Sequence, residues 1–467
     1  MLLTYNKIKL KPNELLKPFD YEKCPKSKLE NKEILNLLKV FTDSSIIEKA
    51  FKDSGVDTQF FNYSMLNKEI LVKARYYLLE LYKKVKELEN IRKININPIQ
   101  NNNNVNDKTK ENKKKKEKDE SNDDNSEENM EIEEDDKISK SKKSTKKDGD
   151  DGKKEILTQK DKIEAIISKT NEIMELSGRY YELIPKERFR NSCILPFDTL
   201  EEVKKEILII DNLTYVERAV NILLGANNKI RTINPLDYIY YSLQTYFEML
   251  QKDTPEFETL KKYINNTSED KIVNIFRVTK KGETEKISAF KDFPNHYLLF
   301  HGTKIFNLIG IFSNGLKIAP PEAPVTGYLF GKGIYLADMY QKSIDYCDTF
   351  IDKSNPKNIK TYSYILLCEA ALGNIYEARK NDLDVENLPF LKKGFNSLKS
   401  VSQTGPDLSK NFICNNGITI PLGNIIQYNQ NINNNDNIFR TYLPEYVVYD
   451  TSQVKIRYIV QIEKNSF

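Results

Sequence analysis

An apolar run, Tyr297-Leu298-Leu299-Phe300, reads as a strand and ends directly in His301-Gly302. An imidazole therefore sits beside a backbone amide that no side chain shields, a place where a polar ligand could be gripped. A loop rich in proline and glycine follows, then a second short strand pattern, Ile334-Tyr335-Leu336, and a helix-like segment carrying Ser343 and Tyr346. Few core elements need such a set of residues. A metal is not the expected partner. The chain has two histidines, His296 and His301, and five scattered cysteines, Cys24, Cys193, Cys347, Cys368 and Cys414, with no Cys-x-x-Cys pair. That spacing argues against a structural zinc site, and the cysteines read as reduced thiols.

The run KIAPPEAPVTGYLFGKGIYLAD, from Lys317 to Asp338, resembles the catalytic core of the poly(ADP-ribose) polymerase family, closest to its DNA-damage-responsive nuclear members. A weaker likeness extends from about Pro25 to the C-terminus. The resemblance implies NAD as a consumed substrate, release of nicotinamide, and transfer of ADP-ribose to proteins including this one, with polymer as product. It implies a catalytic carboxylate at Glu445, in the run Leu443-Pro444-Glu445-Tyr446-Val447-Val448-Tyr449-Asp450. Breaking the nicotinamide–ribose bond calls for stabilising an oxocarbenium-like centre more than for a strong acid, and one carboxylate near that ribose suits it. By the same resemblance His301 bonds the adenosine ribose, Tyr335 and Tyr346 sandwich the nicotinamide, and Gly302 and Ser343 fix its carboxamide. Together, His301, Tyr335 and Glu445 make the catalytic set.

Thr303, Asn307 and Asp211 are implied as further donor contacts, Asn307 on the adenosine side and Asp211 from the helical part. Lys317 replaces an arginine near the phosphates, keeping charge without the bidentate fork, and Lys332 matches a lysine near the glutamate. Phe300 stands where relatives often carry tryptophan, implying a small change in cleft lining. Leu443-Pro444 departs, on the acceptor side, from the pair that usually precedes the glutamate. That departure bears on chain elongation and branching and leaves one alternative, a mono-ADP-ribosyltransferase; a second, of another class, is a catalytically silent NAD- or ADP-ribose-binding module. An intact Glu445 argues against the second.

At 467 residues the chain has room for two or three domains, and with 30% charged residues its net charge is only +4, so overall charge says little about partners. Neither a secretory segment nor an apolar run of spanning length occurs, so no membrane partner is expected. Residues 1–24 read as a leader, and no DNA-binding domain is evident, although DNA as activator and a nuclear location follow from the resemblance.

Residues 25–232 read as a helical bundle, resembling the family's regulatory domain. Ile70, Ala74, Tyr77, Leu78, Leu81, Val85 and Leu88 form one apolar face behind a cap at Asn67,. Ile163, Ile166, Ile167 and Met174 suggest a second stripe, started at Thr158 and Asp161. Thr199-x-x-Glu202 opens a third helix, for which Gly225 reads as the stop,. Residues 97–154, an asparagine tract followed by lysine-rich and acidic runs, read as a disordered insert that cannot bury enough surface to fold. Residues 233–467 read as an α+β domain, with one helical segment from Asp237 to Asn265 and then mostly antiparallel strands. No Gly-x-Gly-x-x-Gly follows a strand, which argues against a Rossmann fold.

Overall fold

Each helix of the N-terminal half begins where a side chain can accept the first free amides. In the computed structural model, which describes residues 18–61, 63–94, 158–189, 192–318, 329–352, 358–378, 387–428 and 441–464, Asn31 opens α1 (Lys32–Phe41) and Asp43 opens α2 (Ser44–Asp53). Asn67 opens α3 (Lys68–Lys93), its Oδ1 accepting from the Ile70 amide at 3.0 Å, as expected. The expected insert at 97–154 and most of the leader lie outside the described residues. Contacts divide the chain into one unit of Met1–Asn90 with Ser168–Phe467 and a second of Ile91–Ile167. Within the second, the Thr158 hydroxyl accepts from the Asp161 amide at 3.2 Å while Asp161 accepts from the Thr158 amide at 3.0 Å, starting α4 (Gln159–Leu183).

The buried face of α3 is Leu71, Ala74, Leu78, Leu81, Val85 and Leu88, close to the expected stripe, with Tyr77 only half-buried. On α4 the expectation fails. Ile163 and Ile167 are 50% and 55% exposed, and the buried positions are Ile173, Ser177, Gly178, Tyr180 and Tyr181. Burial follows the aromatic cluster at its C-terminal half, where Tyr181 stacks on Phe197 at 5.3 Å and meets Phe189 edge-on. Helix α5 (Leu200–Lys229), capped by the Thr199 side chain, passes through Gly225 rather than stopping there. A Cβ at that position would sit 2.3 Å from the Tyr238 hydroxyl, so the glycine is a notch for a packed ring, and that packing outweighs its roughly 1 kcal/mol helix penalty.

The expected helical segment 237–265 is in fact α6 (Pro235–Leu243), β1 (Thr245–Met249) and α7 (Pro255–Asn265). Gln244, in the left-handed region at φ 52°, turns the chain between the first two. There follow β2 (Lys271–Lys280), α8 (Glu283–Ser288), β3 (His296–Gly302), α9 (Leu308–Asn314), β4 (Ile334–Leu336), α10 (Tyr340–Ile344), β5 (Phe350–Asp352), β6 (Lys360–Ala371), β7 (Ile375–Ala378) and β8 (Ser397–Ser400). The chain ends through β9 (Thr404–Pro406), β10 (Phe412–Ile413), β11 (Thr419–Ile420), β12 (Ile425–Gln427), β13 (Tyr446–Val448) and β14 (Val454–Lys464). The fold is α+β, as expected. The larger sheet runs β1-β2-β14-β6-β3-β11-β10, with β5 paired to β6, and the smaller runs β4-β13-β8-β7. Only the β11–β3 and β7–β8 pairs in these two sheets are parallel.

Candidate active site

The two sheets meet at the end of β3, where Phe300 and Ala337 exchange backbone hydrogen bonds of 2.7 and 2.9 Å. That junction sets His301 beside Tyr335, and the His301 Nδ1 donates to the Tyr335 carbonyl at 2.9 Å. A carbonyl can only accept, so Nδ1 carries the proton and Nε2 is left as acceptor in the neutral ring. Burial pulls the imidazole below its ordinary value of 6.5, only partly opposed by that carbonyl. His301 is therefore neutral at pH 7. Phe300 does not line the cleft: it is fully buried, its ring 4.3 Å from that of Tyr263.

Gly302 is required by close approach. A Cβ there would lie 1.8 Å from the Ser343 carbonyl oxygen and 3.0 Å from the Tyr346 Cβ, so only glycine lets α10 and the turn after it rest on the end of β3. Ser343 is thereby buried and Tyr346 left 59% exposed. The Tyr335 hydroxyl is already engaged, accepting from the Phe330 amide at 2.9 Å and donating to the Gly331 carbonyl at 2.8 Å. What Tyr335 can offer a ligand is its ring.

Glu445 is held by its backbone. Its amide donates to the Ser400 hydroxyl and its carbonyl accepts from the Ser400 amide, both at 2.9 Å, at the edge where β13 joins β8. The carboxylate, 12% exposed, forms an ion pair with Lys342 of α10. Burial draws the Lys342 ammonium down, but the Glu445 carboxylate outweighs it and leaves the lysine above its ordinary value. Behind the glutamate, the next residue's phenol, Tyr446, donates to Asp338 at 3.0 Å. Asp338 is 1% exposed and its other oxygen has no hydrogen-bond partner. Burial, against Lys399 and Tyr446, pushes its carboxyl up to about 6.

His301, Gly302, Tyr335, Lys342, Ser343, Tyr346 and Glu445 border a cavity of about 910 Å³, at the upper end for small-molecule sites and large enough for a dinucleotide. Nine of the eleven expected residues line it: Asp211, His301, Gly302, Thr303, Lys317, Tyr335, Ser343, Tyr346 and Glu445. Two expected positions do not. Asn307 is buried behind Thr303, to whose hydroxyl it donates at 3.2 Å, and Lys332 is outside the lining, while the lysine paired with Glu445 is Lys342. Lys342 lies on α10, far in sequence from Glu445, and nothing local in the sequence marks it.

The opposite wall comes from α3 and α5. Arg75 and Asp211, 136 residues apart, form an ion pair there, with side chains 18% and 21% exposed. Asp211 thus reaches the cavity already engaged, so any ligand contact shares or displaces Arg75. Burial also lowers the Lys317 ammonium from its ordinary value, a state that an anion in the cavity would relieve. Among the described residues no cluster of histidine, cysteine and carboxylate is arranged to hold a metal ion, and no helix is long and apolar enough to cross a membrane.

Residues 254–464 match the family model of the poly(ADP-ribose) polymerase catalytic domain, and residues 132–240 that of the poly(ADP-ribose) polymerase regulatory domain. The chain is 38% identical to poly [ADP-ribose] polymerase 1 of Gallus gallus over 302 residues, covering 63% of this chain and 28% of that one. It is 34% identical to poly [ADP-ribose] polymerase 2 of Zea mays, covering 65% and 45%, and 33% identical to poly [ADP-ribose] polymerase 2 of Arabidopsis thaliana, covering 62% and 44%. The chain therefore spans less than half the length of these curated relatives.

Proposed function

We propose that this chain, which belongs to the poly(ADP-ribose) polymerase family through its regulatory and catalytic domains, cleaves NAD and transfers ADP-ribose to protein acceptors, itself among them. The observation that carries this is the convergence of His301, Tyr335, Ser343 and Glu445 on one dinucleotide-sized cavity. His301 would take a ribose hydroxyl on Nε2, the rings of Tyr335 and Tyr346 would face the nicotinamide, and the Gly302 backbone with the Ser343 hydroxyl would hold its carboxamide.

In the reaction the bond from ribose C1′ to the nicotinamide nitrogen breaks, its electron pair leaving with the ring. A new bond forms from C1′ to an acceptor oxygen, whose proton is released. Glu445 lies where its carboxylate would stabilise the positive charge growing on the ribose and orient the incoming hydroxyl, a contribution of the electrostatic kind that dominates such steps. The Lys342 ammonium, paired with that carboxylate, holds it in place. Repeated on the ribose of a transferred unit, the step forms polymer.

The reading includes a nuclear place, a role in the response to DNA damage and activation by DNA, properties in line with the lysine-rich runs of residues 97–154,. Leu443-Pro444 immediately before the glutamate favours a second reading, transfer of single units. Purified protein given labelled NAD, with and without nicked DNA, tests both. A ladder of protein-linked products supports polymer formation, one discrete shift supports single transfer, and no protein-linked label contradicts the enzyme reading.

A further inference from the structure

Beside the large cavity, cations face one another with few acceptors. Lys280, at the end of β2, is 7% exposed, and its ammonium makes one hydrogen bond, to the Ser313 carbonyl at 2.8 Å, leaving two of its three N–H groups uncommitted. Arg218 of α5 has a buried Nε with no hydrogen-bond partner. Burial lowers the ammonium groups of both Lys280 and Lys317; Glu283 opposes this at Lys280 and Glu217 at Lys317, while the nearby Arg218 charge adds to the lowering at each. Three positive groups thus lie near one another, Lys280 buried, Arg218 half-buried and Lys317 at the surface, an arrangement that an anion would relieve.

A second, smaller cavity of about 110 Å³ opens at this place, lined by Lys280, Lys281, Lys286 and Lys317. It is far too small for a nucleoside and suits one compact group. Glu283 is its one lining carboxylate, and one of its oxygens accepts from the Ile456 amide at 3.1 Å. Burial raises the Glu283 carboxyl, against that amide and Lys280, and its charge partly offsets that of Lys280. On α5, the Glu217 carboxylate accepts from the Asn221 amide at 2.6 Å.

We propose that this small cavity is a phosphate-binding subsite, in which Lys280, Lys286 and Lys317, backed by Arg218, neutralise one phosphate group while the donor occupies the large cavity. Leu316 and Lys317 line both cavities, so an occupant of the small one bears on the wall of the large one. The recognised chemistry is a tetrahedral oxyanion, which free phosphate and the phosphate of a nucleotide both supply. Compact ammonium groups and one guanidinium suit such a charge.

The test is calorimetric titration with inorganic phosphate at constant ionic strength. It is run in a Glu445→Gln background saturated with NAD, so that the large cavity is filled and the donor is consumed only about a hundredth to a thousandth as fast. Saturable binding of one phosphate is expected, weakened about tenfold by Arg218→Leu and by Lys286→Ala alike. Lys286 is exposed, so its variant keeps the question open should Arg218→Leu fail to fold. Repeating the titration with adenosine monophosphate separates the sources: binding as tight as inorganic phosphate assigns the group to a nucleotide, and no binding assigns it to free phosphate. Absent saturable binding, equal binding in both variants, or binding only when NAD is omitted would each overturn the proposal. Because the titration reads no turnover, its outcome is independent of whether the chain transfers ADP-ribose.

Discussion

The two walls of the large cavity are held in different ways. On the sheet side the backbone does the holding: Phe300 and Ala337 pair across the sheets, Ser400 fixes Glu445 from two directions, and Gly302 lets α10 lie against β3. The helical side contributes side chains from α3 and α5 joined by the Arg75–Asp211 ion pair. Backbone ladders hold a reacting group within fractions of an ångström, whereas a side-chain pair between helices is easily rearranged. The sheet wall is suited to chemistry and the helical wall to controlling access.

The largest effect should come from the sheet wall. Glu445→Gln keeps the shape but removes the charge, and turnover should fall about 100- to 1,000-fold, as for loss of one transition-state stabiliser, with NAD affinity unchanged. Nicotinamide release and calorimetry together check this, and an unaltered rate would remove the glutamate from the mechanism.

Next comes a stability effect in the same wall. Asp338 holds its proton more tightly in the fold, at about 6, than the ordinary 3.8 of an unfolded chain. Its stabilising contribution is therefore complete below pH 3.8 and is lost as pH rises through 6. The gap corresponds to roughly 3 kcal/mol. Asp338→Asn should flatten that slope, so denaturant unfolding of the two proteins should diverge by about this amount between pH 4 and 7; parallel curves would mean that the carboxyl titrates normally.

On the helical side, Leu78 is fully buried in the stripe of α3. Leu78→Asp places an unpaired carboxylate there and should loosen the wall. If the wall keeps only about a tenth of the molecules open, apparent NAD affinity should rise about tenfold, in proportion to the competent fraction. Initial rates without nucleic acid measure it, and a rate unchanged in a folded variant would make the helices purely structural. The smallest effect is expected of Arg75→Ala, which frees Asp211 and should change the KM for NAD about threefold, the size of a partly exposed ion pair; a change in kcat instead would place Arg75 in the chemistry.

Much of the sheet wall was legible in the sequence, because its functional residues lie in or beside short apolar runs: His301-Gly302 at the end of β3, Tyr335 within β4, Glu445 before β13. The positions that misled were those whose meaning depends on what packs against them. Gly225 reads as a stop and proves a notch for Tyr238, and Ile163 and Ile167 make a helical stripe that the aromatic cluster of α4 leaves exposed. β1 went unseen because its five residues stand between two helices and pair with β2 some thirty residues later, through Thr245 and Lys280. Lys342 and Arg75 were invisible for the same reason, since each acquires its role from a carboxylate more than a hundred residues away.

Steady-state kinetics of the double variant Glu445→Gln with Leu78→Asp would test the division between the walls most directly. If the sheet wall does the chemistry and the helical wall controls access, Leu78→Asp lowers the KM for NAD by the same factor, about ten, in both backgrounds, while kcat stays about 100- to 1,000-fold down wherever the glutamate is missing. Recovery of kcat in the double variant, or a KM that Leu78→Asp leaves unchanged in both backgrounds, would contradict it.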